Sequence, residues 1–260
     1  MATMPKFAAS VSWLFQDVPL LERFERVAAA GFRAVEMQAP YEESAEALAE
    51  QLQRHNLEAV LINIAPGVAA IPGRKADFRK ALDRALAYAD TMGCHQLHCL
   101  SGATDDPRAE ETLISNLRWA AGQASQHGVR LLLEPLNTTD NPGYFLTGSE
   151  QARRVIDAVG GEHVAMQFDA YHLQMMEGSL TEALRKQLDV IAHIQVGGVP
   201  GRHEPDGLQE INYPYLFDLI DELGFEGWVG CEYAPRVGTL EGLEWARQYG
   251  IGARSEGTRG

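Results

Sequence analysis

Residues 129–136 read VRLLLEPL, a short apolar run that ends in one acid, Glu134, followed by a proline. A run of this length, with Gly128 before it and Pro135 near its end, is typical of a buried β-strand. Seven similar runs begin near residues 7, 34, 57, 96, 164, 191 and 228. Successive runs start about 32 residues apart on average, which is the length of one strand followed by one helix.

Helical patterns fill the intervals between these runs. Phe24, Val27 and Ala28 fall on one face of a helix in the first interval, and Leu113 and Leu117 do so in the fourth. Eight strand–helix units in about 250 residues predict an α/β fold, a single (β/α)8 TIM barrel. A doubly wound sheet is the alternative, but it usually has fewer strands at this length, and no G-x-G-x-x-G motif follows the first run.

The chain shows no break in composition, no linker and no low-complexity tract. We therefore predict one barrel domain over residues 1–250. The last ten residues, 251–260, read IGARSEGTRG and lack apolar periodicity. They are predicted to form a loosely ordered tail.

The charge balance excludes two classes of partner. The 260 residues include 22 Lys or Arg and 36 Asp or Glu, which gives a net charge of −14. Nucleic-acid binding normally requires a basic surface, and an anionic membrane would repel this chain. No uninterrupted apolar run approaches the roughly 18 residues that indicate a membrane-spanning helix. We predict a protein with neither a nucleic-acid nor a membrane partner.

The three cysteines, Cys94, Cys99 and Cys231, form no C-x-x-C pair and are odd in number. Neither a disulfide framework nor a cysteine zinc site is expected from this spacing. Reduced cysteines indicate a reducing compartment, and the N-terminal segment lacks the pattern of a signal peptide. We therefore expect the protein in the cytoplasm.

Polar residues at the ends of the predicted strands form the strongest functional pattern. Catalytic residues of such barrels lie at the C-terminal ends of the strands. Glu134, Asp169 and Glu232 each follow an apolar run, on strands five, six and eight, and Gln195 lies on strand seven. Any one of these acids could instead cap a helix or pair with an arginine. Together, their oxygen atoms are suited to a hard divalent cation, Mg²⁺ or Mn²⁺.

Four further residues are candidates for binding a substrate. His172 follows the sixth strand closely and is placed either to reach a substrate oxygen or to anchor a loop. Glu36 ends the second strand and faces either the substrate or a salt-bridge partner such as Arg33. The loop after strand seven carries Arg202 and His203, and either of them is suited to hold a small carboxylate.

At these positions the chain resembles the hydroxypyruvate isomerase family, within the xylose-isomerase-like superfamily of metal-dependent barrels. The resemblance extends from Phe7 to about Tyr233, and so covers most of the chain. The matching strings are FAASVSWLF, AVEMQAPY, LLLEPLN, PGYFLTGS, QFDAYHLQMMEG, HIQVGGVPGRHEP, EINYPYLF and GWVGCEY.

The resemblance implies an isomerase that interconverts hydroxypyruvate and tartronate semialdehyde (2-hydroxy-3-oxopropanoate) by proton transfer through an enediolate. It implies that His172 and Arg202 bind the substrate and that Glu134 and Glu232 form the acid–base pair. A homodimer or homotetramer is an expectation at the level of the family. The implied ligands of the divalent metal are Glu134, Asp169, Gln195 and Glu232.

The chain departs from the family pattern at two places. Its third-strand loop, from Pro66-Gly67 to Pro72-Gly73, is shorter than usual, which predicts a different lid over the site. Ala234-Pro235 stands where the family often has Lys-Pro. Neither departure involves a proposed metal ligand.

Several functions remain open at this point. The nearest alternatives keep the chemistry and change the substrate, as in a 2-oxo-tetronate isomerase or a ketose 3-epimerase. A sugar lyase or dehydratase would use the same kind of site to expel a hydroxyl group. A non-catalytic module that binds a sugar acid would retain the barrel without turnover.

Overall fold

The computed structural model of the protein describes residues 4–252. Most of the predicted C-terminal tail lies outside this range. Its first two residues lie against the barrel, since Ile251 is buried and the Gly252 amide donates a hydrogen bond to the carbonyl of Ala30. The packed body of the barrel therefore continues to residue 252.

Eight parallel strands form a closed barrel in sequence order, as the sequence pattern predicts. The last strand pairs with the first, with Ala8 opposite Gly230, and this pairing closes the sheet. The strands are β1 (Lys6–Ser10), β2 (Ala34–Met37), β3 (Glu58–Ile64), β4 (Gln96–Cys99), β5 (Arg130–Leu133), β6 (Val164–Asp169), β7 (Ile191–Val196) and β8 (Trp228–Cys231).

Helices connect the strands around the outside of the barrel. Two helices follow β6, and a 3₁₀ helix, Glu241–Tyr249, takes the place of an α-helix after β8. The α-helices are α1 (Leu20–Ala29), α2 (Ala45–His55), α3 (Lys75–Met92), α4 (Ala109–Ala124), α5 (Ser149–Val159), α6 (Ala170–Met176), α7 (Leu180–Gln187) and α8 (Tyr213–Glu222).

Local sequence signals determine where several helices begin and end. Ser44 precedes α2, and its side chain accepts a hydrogen bond from the Ala47 amide. Asn212 caps α8 in the same way, and Pro214 occupies the first turn, where no amide hydrogen is needed. Gly93 ends α3 with a φ of 68°, a conformation that glycine adopts without steric cost.

An apolar layer fills the lower part of the barrel. Leu61, Leu132, Ala165 and Ala192 form one buried cluster. They come from β3, β5, β6 and β7, and side chains from these strands can meet only inside the barrel. On β5, β6 and β7, the residues of this cluster precede Glu134, Asp169 and Gln195 along the chain. The candidate site therefore lies on the C-terminal side of an apolar layer.

The cysteines are buried and unpaired, as their spacing predicts. Within residues 4–252, no helix has both the length and the apolar character that a membrane crossing requires.

Tyr213 connects α8 to the end of β7. Its hydroxyl donates a hydrogen bond to the Gly197 carbonyl at 2.8 Å and accepts one from the Gly197 amide at 3.0 Å. The side chain is fully buried. Gly197 lies in the loop that leads to Arg202. Its amide and its carbonyl are therefore both paired with the Tyr213 hydroxyl.

We expect Tyr213→Phe to lower the free energy of unfolding by about 1–3 kcal/mol, because it leaves two buried backbone groups without a partner. The matched control is Tyr215→Phe on the same helix, where the side chain is half exposed. Urea unfolding followed by circular dichroism measures both variants. Equal midpoints for the two would contradict a structural role for the Tyr213 hydroxyl.

Candidate active site

A cavity of about 670 Å³ lies at the C-terminal ends of the strands. The position is the one that barrel enzymes use for chemistry. Five residues predicted from the sequence line its wall. Asp169 does not line the wall, but its carboxylate contacts His172 and Arg202, which do. The five are Glu134, His172, Gln195, Arg202 and Glu232.

The three acids and Gln195 all lie at or next to the C-terminal end of a strand. Glu134 and Glu232 directly follow β5 and β8, Asp169 is the last residue of β6, and Gln195 lies near the end of β7. Each of the four residues is at most 4% exposed. Burial of an ionised carboxylate is costly unless a cation or hydrogen-bond donors compensate for the lost water.

Glu134 has the least compensation of the three acids. Its Oε1 atom is buried and has no hydrogen-bond partner among the described residues. His98 Nδ1 lies 3.3 Å from the other carboxylate oxygen, but burial lowers the pKa of His98 to about 3, which leaves that imidazole neutral. Burial, together with Glu232 and Asp169, raises the pKa of Glu134 well above its ordinary value. The Glu134 carboxylate therefore lacks charge compensation, which a bound cation or a proton would supply.

Arg202 supplies the positive charge at the other side of the cavity. Its Nη2 atom donates to Asp169 Oδ2 at 2.9 Å and to Glu232 Oε2 at 2.5 Å. The guanidinium lies 4.7 Å from the ring of Trp13 and 4.9 Å from that of Tyr171. Although burial opposes its charged form, Glu232 and Asp169 raise the pKa of Arg202. The two rings and the two acids hold this cation in one orientation.

The environment of Glu232 differs from that of Glu134. Glu232 accepts hydrogen bonds from Arg202 and, at 2.6 Å, from Gln38 Nε2. Burial raises its pKa to about 7, and Arg202 limits the rise. The cavity thus has two buried carboxyl groups with different proton affinities, an arrangement typical of acid–base pairs.

The site has an excess of negative charge. If Glu134, Asp169 and Glu232 are all ionised, Arg202 offsets one of the three charges. Ligand atoms of Glu134, Asp169 and His172 lie within 4.8 Å of one another. The oxygen donors of these acids are of the kind that suits a hard divalent ion.

His172 lies between the acids and the loop after β5. It is 2% exposed, and its Nε2 atom is 3.6 Å from Asp169 Oδ2. Burial lowers its pKa to about 4, so the imidazole is neutral at pH 7. Its Nδ1 atom accepts a hydrogen bond from the Asn137 amide at 3.1 Å. The structure therefore places His172 on the cavity wall and also anchors it to a loop.

Glu36 lies behind the cavity wall and does not form part of it. Gln195 Nε2 donates to Glu36 Oε1 at 2.8 Å, and His193 Nε2 is 2.7 Å from Glu36 Oε2. Gln195 Oε1 accepts from Gln167 Nε2 at 2.5 Å. Arg33 is not its partner, since that guanidinium donates to the Phe32 carbonyl. Glu36 thus sets the direction in which the Gln195 amide oxygen faces.

His203 also lies off the cavity wall. Its Nδ1 atom is 2.9 Å from the Ala234 carbonyl, so the imidazole joins the loops after β7 and β8. The Ala234 amide donates to the Arg202 carbonyl at 2.7 Å. The structure therefore brings Arg202 into the cavity and leaves its neighbour in a contact between loops.

The sequence reasoning misses three cavity residues. Trp13 and Gln38 lie in the loops after β1 and β2, Tyr171 lies in the first turn of α6, and none follows a recognisable ligand spacing. Tyr171 lies two residues after Asp169, and this spacing is the one sequence signal that places it near the acids. Trp13 meets Arg202 only because the barrel closes and brings β1 beside β8.

Comparisons with known proteins identify the family to which this chain belongs. A family model described as xylose isomerase-like TIM barrel matches residues 24–249. The chain is 44% identical to the 2-oxo-tetronate isomerase of Cupriavidus necator over 258 residues, which cover 95% of this chain and 99% of that protein. It is 41% identical to the hydroxypyruvate isomerase of Escherichia coli over 258 residues, with 95% and 100% covered.

A solved structure also superposes closely. The crystal structure of an AP endonuclease, family 2, from Brucella melitensis matches with a TM-score of 0.93 and 45% identity, covering 95% of this chain and 99% of that chain. These matches confirm the fold and the resemblance to hydroxypyruvate isomerase that the motifs carry. The chain belongs to the xylose isomerase-like TIM barrel family.

Proposed function

We propose that this protein is an isomerase that interconverts hydroxypyruvate and tartronate semialdehyde. The observation that carries the proposal is the pair of buried carboxyl groups, Glu134 and Glu232, in one cavity with Arg202 and His172. Relatives at about two-fifths identity that bear the name hydroxypyruvate isomerase support the substrate. We place the reaction in the cytoplasm.

The reaction needs one proton to leave C3 and another to arrive at C2. One of the two glutamates removes the C3 proton, which leaves an enediolate, and the other delivers a proton to C2. The proton of the C3 hydroxyl passes to the former carbonyl oxygen, so product and substrate contain the same atoms. Arg202 and His172 are placed to donate hydrogen bonds to oxygens that gain negative charge.

The proposal includes a divalent cation, Mg²⁺ or Mn²⁺. When bound, it supplies Lewis-acid stabilisation of negative charge on the substrate oxygens. The unpartnered Oε1 of Glu134 and the uncompensated negative charge support a cation at this place. The residues proposed to hold it are Glu134, Asp169, Gln195 and Glu232.

Burial resolves a conflict in giving the glutamates two roles. A nearby cation lowers the pKa of a carboxyl group and makes it a weaker base. Burial acts in the opposite direction on both Glu134 and Glu232. Burial thus helps the two carboxylates to remain basic enough to accept a proton from carbon.

A second candidate substrate has specific support. The Cupriavidus necator relative, at 44% identity, bears the name 2-oxo-tetronate isomerase. This substrate class contains one more carbon, and the same acid–base pair would serve it. A cavity of about 670 Å³ has room for either molecule.

The proposed reaction predicts isotope exchange at carbon. In D₂O, incubation with hydroxypyruvate followed by proton NMR should show tartronate semialdehyde with solvent deuterium at C2. EDTA should stop both product formation and exchange, and Mg²⁺ or Mn²⁺ should restore them. A parallel panel of 2-oxo-tetronates and ketoses compares kcat/KM between substrates.

The other outcomes identify the remaining hypotheses. Loss of a hydroxyl group from any substrate would identify a lyase or dehydratase. Tight binding without exchange would identify a non-catalytic module. Turnover that is indifferent to EDTA would contradict the cation.

Substitution of either glutamate tests the acid–base pair. We expect Glu134→Gln and Glu232→Gln each to lower kcat by at least about 10²-fold, because the amide cannot accept the proton. Glu58→Gln is the matched control, since Glu58 is exposed at the opposite end of a barrel strand. Circular dichroism checks that the fold is retained. Near-normal turnover in either variant would rule out the two-glutamate mechanism.

Cation binding should stabilise the protein more strongly as the pH rises. Because the pKa of Glu232 is raised from 4.5 to about 7, the stability from this group is full below pH 4.5 and lost through about pH 7. The loss amounts to about 3 kcal/mol for a shift of this size. A divalent cation binds the ionised carboxylates and offsets this loss.

Thermal unfolding between pH 5 and 8, with EDTA or with Mg²⁺, measures the effect. The gap between the two melting curves should widen as the pH rises. A gap that is constant or that narrows would contradict cation binding by these carboxylates.

A further inference from the structure

The loop after β5 fixes the side chain of Asn137 in one orientation. Asn137 is fully buried, and its Oδ1 atom accepts hydrogen bonds from the amides of Thr139 at 3.1 Å and Asp140 at 2.9 Å. A backbone amide can only donate, so the atom facing both amides must be the oxygen. The other terminal atom is therefore the nitrogen, Nδ2, with two hydrogens to donate.

Both donors of Asn137 converge on one atom of His172. Nδ2 lies 2.7 Å from His172 Nδ1, and the Asn137 backbone amide donates to the same atom at 3.1 Å. The second hydrogen of Nδ2 is directed to Asp140 Oδ2 at 3.0 Å. An imidazole nitrogen that accepts from two donors carries no hydrogen of its own. In the neutral ring, the hydrogen must then be on Nε2.

The protonated Nε2 atom faces the acids of the site. It lies 3.6 Å from Asp169 Oδ2 and 3.9 Å from Glu134 Oε1. These distances would suit a cation that is shared by His172 and the two acids. A ring nitrogen that carries a hydrogen, however, has no lone pair for a metal ion. In this tautomer His172 is a hydrogen-bond donor to a substrate oxygen.

We propose that Asn137 is a positioning residue that fixes the tautomer of His172, so that Nε2–H points into the cavity as a donor. The inference deepens the proposed isomerase function and rests on it only for the kinetic readout. The tautomer itself is measured without substrate, so failure of the proposed reaction and failure of this inference are distinguishable.

Nitrogen NMR of the full chain labelled with ¹⁵N-histidine measures the tautomer directly. His172→Gln assigns the His172 signals among those of the eight histidines. We expect a non-protonated shift for Nδ1 and a protonated shift for Nε2, with and without Mg²⁺. Protonation of Nδ1 with a bare Nε2, in either condition, would overturn the proposal.

Two substitutions at Asn137 separate tautomer control from loop structure. Asn137→Asp keeps an oxygen for the Thr139 and Asp140 amides but places a second oxygen against His172 Nδ1, which demands a hydrogen there. Asn137→Ala loses the loop contacts, yet its backbone amide still donates to Nδ1. Asn137→Asp therefore changes the tautomer and keeps the loop contacts, whereas Asn137→Ala loses the loop contacts and keeps the tautomer.

Tautomer control predicts that Asn137→Asp is the more damaging variant. We expect it to add a hydrogen to Nδ1 in the NMR spectrum and to lower kcat/KM by roughly a hundred-fold. Asn137→Ala should retain the original tautomer and lose less than about ten-fold. A larger loss in the alanine variant, or unchanged nitrogen shifts in the aspartate variant, would show that Asn137 serves only the loop.

Discussion

Three buried carboxyl groups, Glu134, Asp169 and Glu232, lie at one cavity beside the guanidinium of Arg202, and the surrounding contacts are arranged about this balance of charge. Trp13 and Tyr171 pack against the guanidinium of Arg202, which stays beside Asp169 and Glu232. Burial lowers the pKa of His98 and of His172, so these two imidazoles are neutral and add no further positive charge. A divalent ion would complete this balance, and the chemistry proposed for the site depends on it.

The barrel produces this constraint because it brings distant parts of the chain to one point. Glu134 and Glu232 are separated by almost a hundred residues, yet both follow the last residue of a strand. Hydrogen bonds beneath the wall then select the orientation of individual groups. Glu36 directs the amide of Gln195, and Asn137 directs the ring of His172.

The fold and the principal acids could be predicted from the sequence, because strand length, strand spacing and the place of each acid are local properties. Glu36 and His203 show where such reasoning stops. Glu36 lies near the end of β2 and His203 lies in the loop after β7, but Glu36 contacts Gln195 from behind the cavity wall and His203 bonds to the Ala234 carbonyl. Which way a side chain turns depends on neighbours from other strands, and no spacing in one sequence records those neighbours.

The apolar layer of Leu61, Leu132, Ala165 and Ala192 fills part of the barrel interior beneath the candidate site. The cavity lies among the loops that follow the strands, so a substrate reaches it from that end of the barrel. Within residues 4–252, the opposite end of the barrel contributes no residue to the lining of this cavity. Residues there are free to change for stability, for assembly with other copies or for attachment to a surface without altering the reaction.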